Sequence, residues 1–525
     1  MKSLPFAELP PETPLTAWHD ALAGDSQTSS ERYLTALARR AFLTLWSYPN
    51  VFTDEGRSRG KGDGKELCDL LVIFGSDILI FSDKQCEFIP HADVSVAWGR
   101  WYKRAIEKSA NQLAGAKSWI LRYADRLYLD KQCQHRLPIE LPGIEDCRIH
   151  LIAVAKGATE HAARYWKTVA VELAEMEGLF DAVSGPSSGS LMIRTDIEGA
   201  EHRAAPFQVG WPLGRGHMVH VFDEETLDVV LGELDTVPDF VAYLRKKEEF
   251  FRREDALLII PGEEDLLACY LSSSTYEFDG PKFPDIPVGA AFLLGEGEWK
   301  ALRISKRYRN RVKANRVSYL WDALIEFQTS HILAGSSGVV RSSASLEGLA
   351  SLVQQETILR KMAEEPRSTR RMLGAAVDRA RSVKKKDARY TSTVLGRSNG
   401  TRAYVVMTLP KPHYMSYETY REHRQRQLLI YCEGCKLKNP HLKEVLGIAM
   451  EPYSTRTVSV DFLLMIVRDE NLVADSAEIL QRQLDEEGMW QPESIKWSRV
   501  SLSELPGGPS LWSKVWATLL KRMRS

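Results

Sequence analysis

The chain has 525 residues, 44% of them apolar and 26% charged, with 69 basic against 70 acidic residues and a net charge of −1. That composition fits a few soluble globular domains and excludes a global basic field, so any pull on nucleic acid must come from local patches. Seven irregularly spaced cysteines make no disulfide framework and suit a reducing cytoplasm, and no apolar run approaches the ~18 residues of a membrane helix.

The N-terminal stretch MKSLPFAELPPETPLTAW is proline-rich and carries no leader-like apolar core. Ser29-Ser30-Glu31 then opens a run with apolar residues at Tyr33, Leu34, Leu37, Ala38, Ala41, Phe42 and Leu45, the spacing of a helix capped by serine. Residues 55–65, EGRSRGKGDGK, are glycine-rich and basic. They precede a strand, and Lys65 is followed by Glu66 rather than Ser or Thr, so a phosphate-binding P-loop is rejected. The run is either a loop offering Arg57, Arg59, Lys61 and Lys65 to phosphates or a plain solvated loop.

Residues 64–86, GKELCDLLVIFGSDILIFSDKQC, hold two apolar runs, Leu70–Phe74 and Ile78–Phe81, around Gly75-Ser76-Asp77. This is a β-hairpin pattern. Glu66 and Asp69 stand at the start of the first strand, and Asp83 and Lys84 at the end of the second. Folding back brings both ends to one edge, where carboxylates can bind Mg²⁺ and a lysine can orient water. Val96–Tyr123 follows as a long helix carrying Lys108, Gln112 and Lys117.

The hairpin and its flanking helices resemble the PD-(D/E)XK nuclease superfamily, and within it the restriction-endonuclease-like, nuclease-related domains written E-x-D-hhh…hhh-(D/E)-x-K. The resemblance covers about residues 28–125. It implies a helix, hairpin, helix core, with Mg²⁺ or Mn²⁺ held by Asp69 and by the carboxylate ahead of Lys84, and with Lys84 assisting the attacking water. Glu31 is the position of an acid from the preceding helix, and Gln112 that of a polar residue from the following one. The chain departs from the pattern at Ser82, two residues before Lys84. The available carboxylate there is Asp83, which strand alternation sends to the other face unless the strand ends or bulges. Otherwise Glu66, Glu87 or Glu31 must supply the second ligand. Ordinary strand-end and solvated-helix roles for all of these residues are the alternative.

Beyond the hairpin, CRIHLIAVAKGA reads as a strand and HAARYWKTVAVELAEME as a helix, followed by a Gly/Ser/Pro-rich stretch at 180–216. Residues 127–300 read as mixed α and β, with Asp235 or Thr236 capping a helix that starts near Pro238. His217, His220 and Asp223 have a suggestive spacing, but a strand would split them between faces. Residues 302–333 open with Lys306, Arg307, Arg309, Arg311, Lys313 and Arg316 around Tyr308, a phosphate-and-base contact surface or a solvated helix start. A second basic stretch, Arg370 to Arg389, ends a helical region expected from Ser345.

Past residue 388 the order strand, helix, strand, strand, helix suggests a split-βαβ, ferredoxin-like domain. Cys432 and Cys435 with His441 invite a zinc reading, but the second pair that such a site needs is missing, with only His413 and His423 as distant candidates. The tail PSLWSKVWATLLKRMR reads as an amphipathic basic helix packed on its own domain. The whole is expected to be a mixed α/β multidomain protein: a nuclease-like domain at 1–160, a mixed α/β domain at 161–335, a helical connector at 336–387 and an α+β domain at 388–525. The expected activity is Mg²⁺-dependent phosphodiester hydrolysis, with DNA as partner and, by analogy with nucleases fused to large extra domains, a role against foreign DNA alongside companion proteins or as a homo-oligomer. The alternatives are an inactive nuclease fold serving in nucleic-acid binding or assembly, for which Ser82 speaks, and a scaffold with no nucleic-acid role.

Overall fold

A computed structural model describes residues 28–175, 189–334, 341–342, 352–382, 389–452, 459–466, 474–491 and 505, apart from positions 59, 61, 144, 254–255, 274–275, 278–279 and 397–399. The N-terminal stretch, the expected helix start at Ser345 and the C-terminal tail lie outside these residues. The fold is mixed α/β, in two compact units that divide between Arg311 and Val312. Among the described residues no helix is long and apolar enough to cross a membrane.

The first unit opens with helix α1 (Ser29–Phe42). Its cap is Thr28, one residue ahead of the expected serine. The Thr28 hydroxyl accepts from the Glu31 amide, and the Glu31 carboxylate accepts from the Thr28 amide at 2.9 Å, a capping box. Strands β1 (Ser47–Thr53), β2 (Lys65–Phe74) and β3 (Asp77–Gln85) follow as an antiparallel meander. The β2–β3 turn is Gly75-Ser76, with Gly75 at φ 58° where a side chain would be strained. Asp77 pairs with Phe74 and belongs to β3.

The expected long helix is present as α2 (Val94–Tyr102) and α3 (Lys108–Arg122), joined by a π-helical turn at Lys103–Glu107. It returns the chain to β5 (Arg148–Lys156), parallel to β3. With β4 (Leu127–Tyr128) and β8 (His220–Phe222) the sheet has the order β4-β1-β2-β3-β5-β8. Strands β2 and β3 are buried on both faces, which is why their sequences read as continuous apolar runs. Leu71, Ile73, Ile78, Ile80, Leu151 and Ala153 pack with Leu113 and Ile120 of α3. On the opposite face Phe42 and Phe81 meet Phe240 of a later helix, α6 (Val237–Phe251).

A four-stranded sheet, β6 (Met192–Glu198), β7 (Gln208–Trp211), β9 (Leu257–Ile260) and β10 (Ala291–Leu293), has the order β10-β9-β6-β7. One core cluster joins Trp98 and Trp101 of α2 to Met192 and Val209 of this sheet, and β8 completes the first sheet from residues beyond 160. The expected boundary at 160 therefore falls inside one unit. Thr236 caps α6, with proline in its first turn.

The second unit holds α9 (Tyr319–Leu333), α10 (Leu352–Ala363), α11 (Arg367–Arg381) and a sheet of β11 (Arg341–Ser342), β12 (Tyr390–Leu395), β13 (Arg402–Thr408), β14 (Glu444–Met450) and β15 (Val460–Ile466). Helix α12 (Tyr417–Lys438) crosses from β13 to β14, which lie side by side and parallel in the order β11-β15-β14-β13-β12. No strand separates them, so the crossover is a plain βαβ unit and the split, ferredoxin-like arrangement is absent. The boundaries expected at 335 and 387 also fall within this unit.

Candidate functional site

The hairpin edge brings together some of the expected residues and separates others. The ladder from Leu70↔Phe81 sets Asp69 beside Ser82, and alternation puts Ser82 and Lys84 on the face covered by α3. Lys84 Nζ lies 3.7 Å from Asp69 Oδ2. The Ser82 hydroxyl is 3.3 Å from Ser109 Oγ and 3.5 Å from Gln112 Oε1, so Gln112 is at the site as expected. Glu66, three residues before Asp69, should face the other way. The β1–β2 register slips by one residue between Val51/Phe52, where Cys68 pairs with Val51 but Glu66 pairs with Phe52. That bulge at Leu67 restores a common face and brings the Glu66 carboxyl close enough to feel the Asp69 charge.

Two carboxylates that converge on one edge favour a shared proton or a bound cation. Partial desolvation by the neighbouring wall, then the Asp69 charge, push the carboxyl of Glu66 up to about 7, although the residue stays open to solvent. Burial also raises Asp69, against the pull of Lys84 and of the Asp83 amide. These oxygens are the ligand type that Mg²⁺ or Mn²⁺ takes, and Mg²⁺ is commonly held by only one or two carboxylates plus water and substrate phosphate. The donor set is of the type such an ion takes, and Glu66 and Asp69 are the residues that could hold it. Among the described residues no group of three or more His, Cys, Asp or Glu forms a metal cluster.

Asp83 is not part of this set. Its side chain points to the opposite face of the sheet, where Oδ2 accepts from Ser30 Oγ at 2.6 Å and pairs with Lys156 Nζ at 3.0 Å. Lys156, at the end of β5, is buried and also donates to Ser30 Oγ at 2.7 Å. What Asp83 gives to the site is its backbone amide, which donates to Asp69 Oδ2 at 2.5 Å. Glu31 is spent on the capping box and reaches Glu66 only as a nearby charge. Glu87 is exposed beyond the end of β3. Lys156 was missed in the sequence, where its signal is a lone lysine closing the apolar run of β5.

Most of the expected phosphate contacts are already engaged. Arg57 donates to the Gln132 carbonyl and Lys65 pairs with Glu55 at 2.9 Å, while Arg59 and Lys61 lie outside the described residues. In helix α8 (Lys306–Asn315), Arg311 is buried against Glu233, whose carboxylate also accepts from Tyr308. Arg309 donates to the Ile304 carbonyl, and Lys306, Arg309 and Lys313 are exposed cations on this helix, beside a half-buried Arg307. In the second basic stretch Arg370 and Arg371 are internal, with Arg367 just ahead of them, while Arg379 is exposed and residues 383–388 lie outside the described residues. Arg367 and Arg370 both pair with Asp322 at 2.6 Å, and Arg371 donates to Asn315.

The remaining candidates resolve into structural roles. His220 is buried, His217 is exposed, and Asp223 caps a helix starting at Glu224, so these three form no metal site. Cys432 and Cys435 are packed in the core of the second unit, with His441 exposed.

A cleft of about 350 Å³ opens beside the cluster, lined by Glu66, Leu67 and Lys65 on one wall and by Gln112, Gly115 and Trp119 on the other. No family model, curated protein or solved structure matches the chain.

Proposed function

We propose that the first unit carries a divalent-metal-dependent phosphodiester hydrolase centre of the PD-(D/E)XK kind, acting on nucleic acid and most simply on DNA. The observation that carries the reading is the convergence of Glu66, Asp69 and Lys84 at one edge, reached through a bulge and next to an open cleft. The helix, hairpin, helix order agrees with it. Glu66 and Asp69 would hold Mg²⁺ or Mn²⁺, which when bound would polarise the phosphate and acidify a water. Lys84 sits where it can orient that water and balance charge on the phosphate. Gln112, which lines the cleft and is backed by the buried Ser82 hydroxyl, offers a further polar contact. A role against foreign DNA rests on analogy alone.

The test is cleavage of plasmid, linear and single-stranded DNA and of RNA with Mg²⁺ or Mn²⁺. Asp69→Asn, Glu66→Gln and Lys84→Ala should each lower the rate by at least about 100-fold, the scale of a lost charge-stabilising group. Cutting that survives all three would sink the assignment. One observation favours a second reading, an inactive fold that binds nucleic acid: with Asp83 turned to the other face, only two carboxylates remain. That reading expects binding without cutting under every metal.

A further inference from the structure

The wall of the cleft formed by α3 contains a residue that the fold does not explain. Gly115 stands mid-helix in α3, where glycine is the poorest helix former after proline. A Cβ built there meets nothing within 4 Å, so no packing requirement excludes alanine or a larger residue. A glycine that costs helix stability and relieves no clash leaves space for something outside the chain. The space it leaves is the cleft shared with Glu66 and Gln112. One and two turns further along the same wall come Trp119, then Arg122 and Tyr123. Arg122 is exposed and has no ion-pair partner among the described residues. Tyr123 is 39% exposed, and Trp119 and Tyr123 sit 4.8 Å apart, with Arg126 over both rings and fixed by Asp54.

We propose that this cleft seats one unpaired polynucleotide strand, its backbone passing over Gly115, a phosphate at Arg122 and a base on the Trp119–Tyr123 rings. The inference rests on the hydrolase reading and names the substrate form that the same edge would take. Aromatic rings and a basic group along one wall of a small cleft are recognition elements for unstacked bases. The bases of a duplex, stacked on one another, have no free faces to offer these rings.

The test is fluorescence anisotropy of labelled oligothymidylate, oligouridylate and a matching duplex, with divalent ions chelated so that nothing is cut. The full-length wild-type chain should bind one or both single strands about tenfold or more tighter than the duplex, and the two single-strand probes separate DNA from RNA. Gly115→Leu and Tyr123→Ala should each weaken strand binding about tenfold, the scale of one stacked base. Gly115→Leu enters open space on a helix it favours, so its Tm should equal or exceed that of wild type. Wild-type affinity in Gly115→Leu, or duplex binding as tight as single-strand binding, overturns the proposal. If Gly115→Leu weakens binding while wild type cuts nothing under any metal, the groove stands and the hydrolase reading falls. If Asp69→Asn abolishes cutting while Gly115→Leu binds and cuts as wild type does, the groove falls alone.

Discussion

At the scale of single residues, the Glu66–Asp69 pair is the most informative contact in the molecule. A carboxyl raised from 4.5 to about 7 is one whose protonation favours the folded state. Its contribution is therefore present at acid pH and lost as pH rises through that value, when two charges face each other. A divalent cation would replace the missing proton. Mg²⁺ or Mn²⁺ should thus raise Tm well above pH 7 and have little effect well below it, and Asp69→Asn should remove the shift. Equal stabilisation at both pH values would mean that the ion binds elsewhere. Asp83 makes the opposite prediction. Asp83→Asn strips the partner from buried Lys156 and should cost roughly 3–5 kcal/mol in denaturant unfolding. Asp83→Leu combined with Lys156→Met should recover most of that loss, which a lost metal ligand would not allow. Asp69 and Lys84 were legible in the sequence because the hairpin gathers them, while Gln112 was expected from the resemblance alone and Glu66 joins them through a bulge that alternation does not show. The direction of Asp83 was undecided there, because alternation gives a face but not the point where a strand ends.

At the scale of elements, two basic runs look alike in sequence but are used differently: Lys306, Arg309, Lys313 and Arg316 stay exposed at helical spacing, whereas the arginines that open the second run are internal. In α11 the run Arg367–Arg381 buries Arg367, Arg370 and Arg371. Burial alone would raise the Asp322 carboxyl, but the two guanidinium groups outweigh it and hold it below its ordinary value. Gly374 sits under the Val317 carbonyl with no room for a side chain, which brings the helix close enough for these pairs to form. Arg370→Ala should therefore cost about 3 kcal/mol of stability and leave nucleic-acid affinity unchanged. A variant that folds normally but binds weakly would restore the surface reading. Charge runs are ambiguous because an arginine is exposed or buried according to where its acid lies, and Asp322 is 45 residues from Arg367. The helices and strands themselves follow from apolar spacing. The π-helical turn at Lys103–Glu107 does not, since it leaves no mark in that spacing, yet it sits one turn ahead of Ser109 and Gln112 and so sets their phase against Ser82.

At the scale of the whole molecule, no sheet and no core cluster among the described residues is shared between the two units. Damage to one core should then remain local. Hydrogen exchange of Arg370→Ala should show lost protection in β13 and β14, with β2, β3 and the cation-induced protection around Glu66 retained. Equal loss in both units would mean that they fold as one. The multidomain α/β character was legible in the alternation of strand and helix patterns along the chain. The boundaries were not, because the first unit joins its two sheets through Trp98 and Trp101 and completes one of them with β8, contacts that no local composition change marks.

The single extra residue at Leu67 bears on how such a centre can change over descent. A sheet that absorbs an inserted residue as a bulge lets an acid slide along the chain without leaving its neighbours in space. An E-x-x-D spacing can then occupy the same geometry as E-x-D. Lineages carrying either spacing could exchange them by one insertion or deletion, with no intermediate that loses the paired carboxylates.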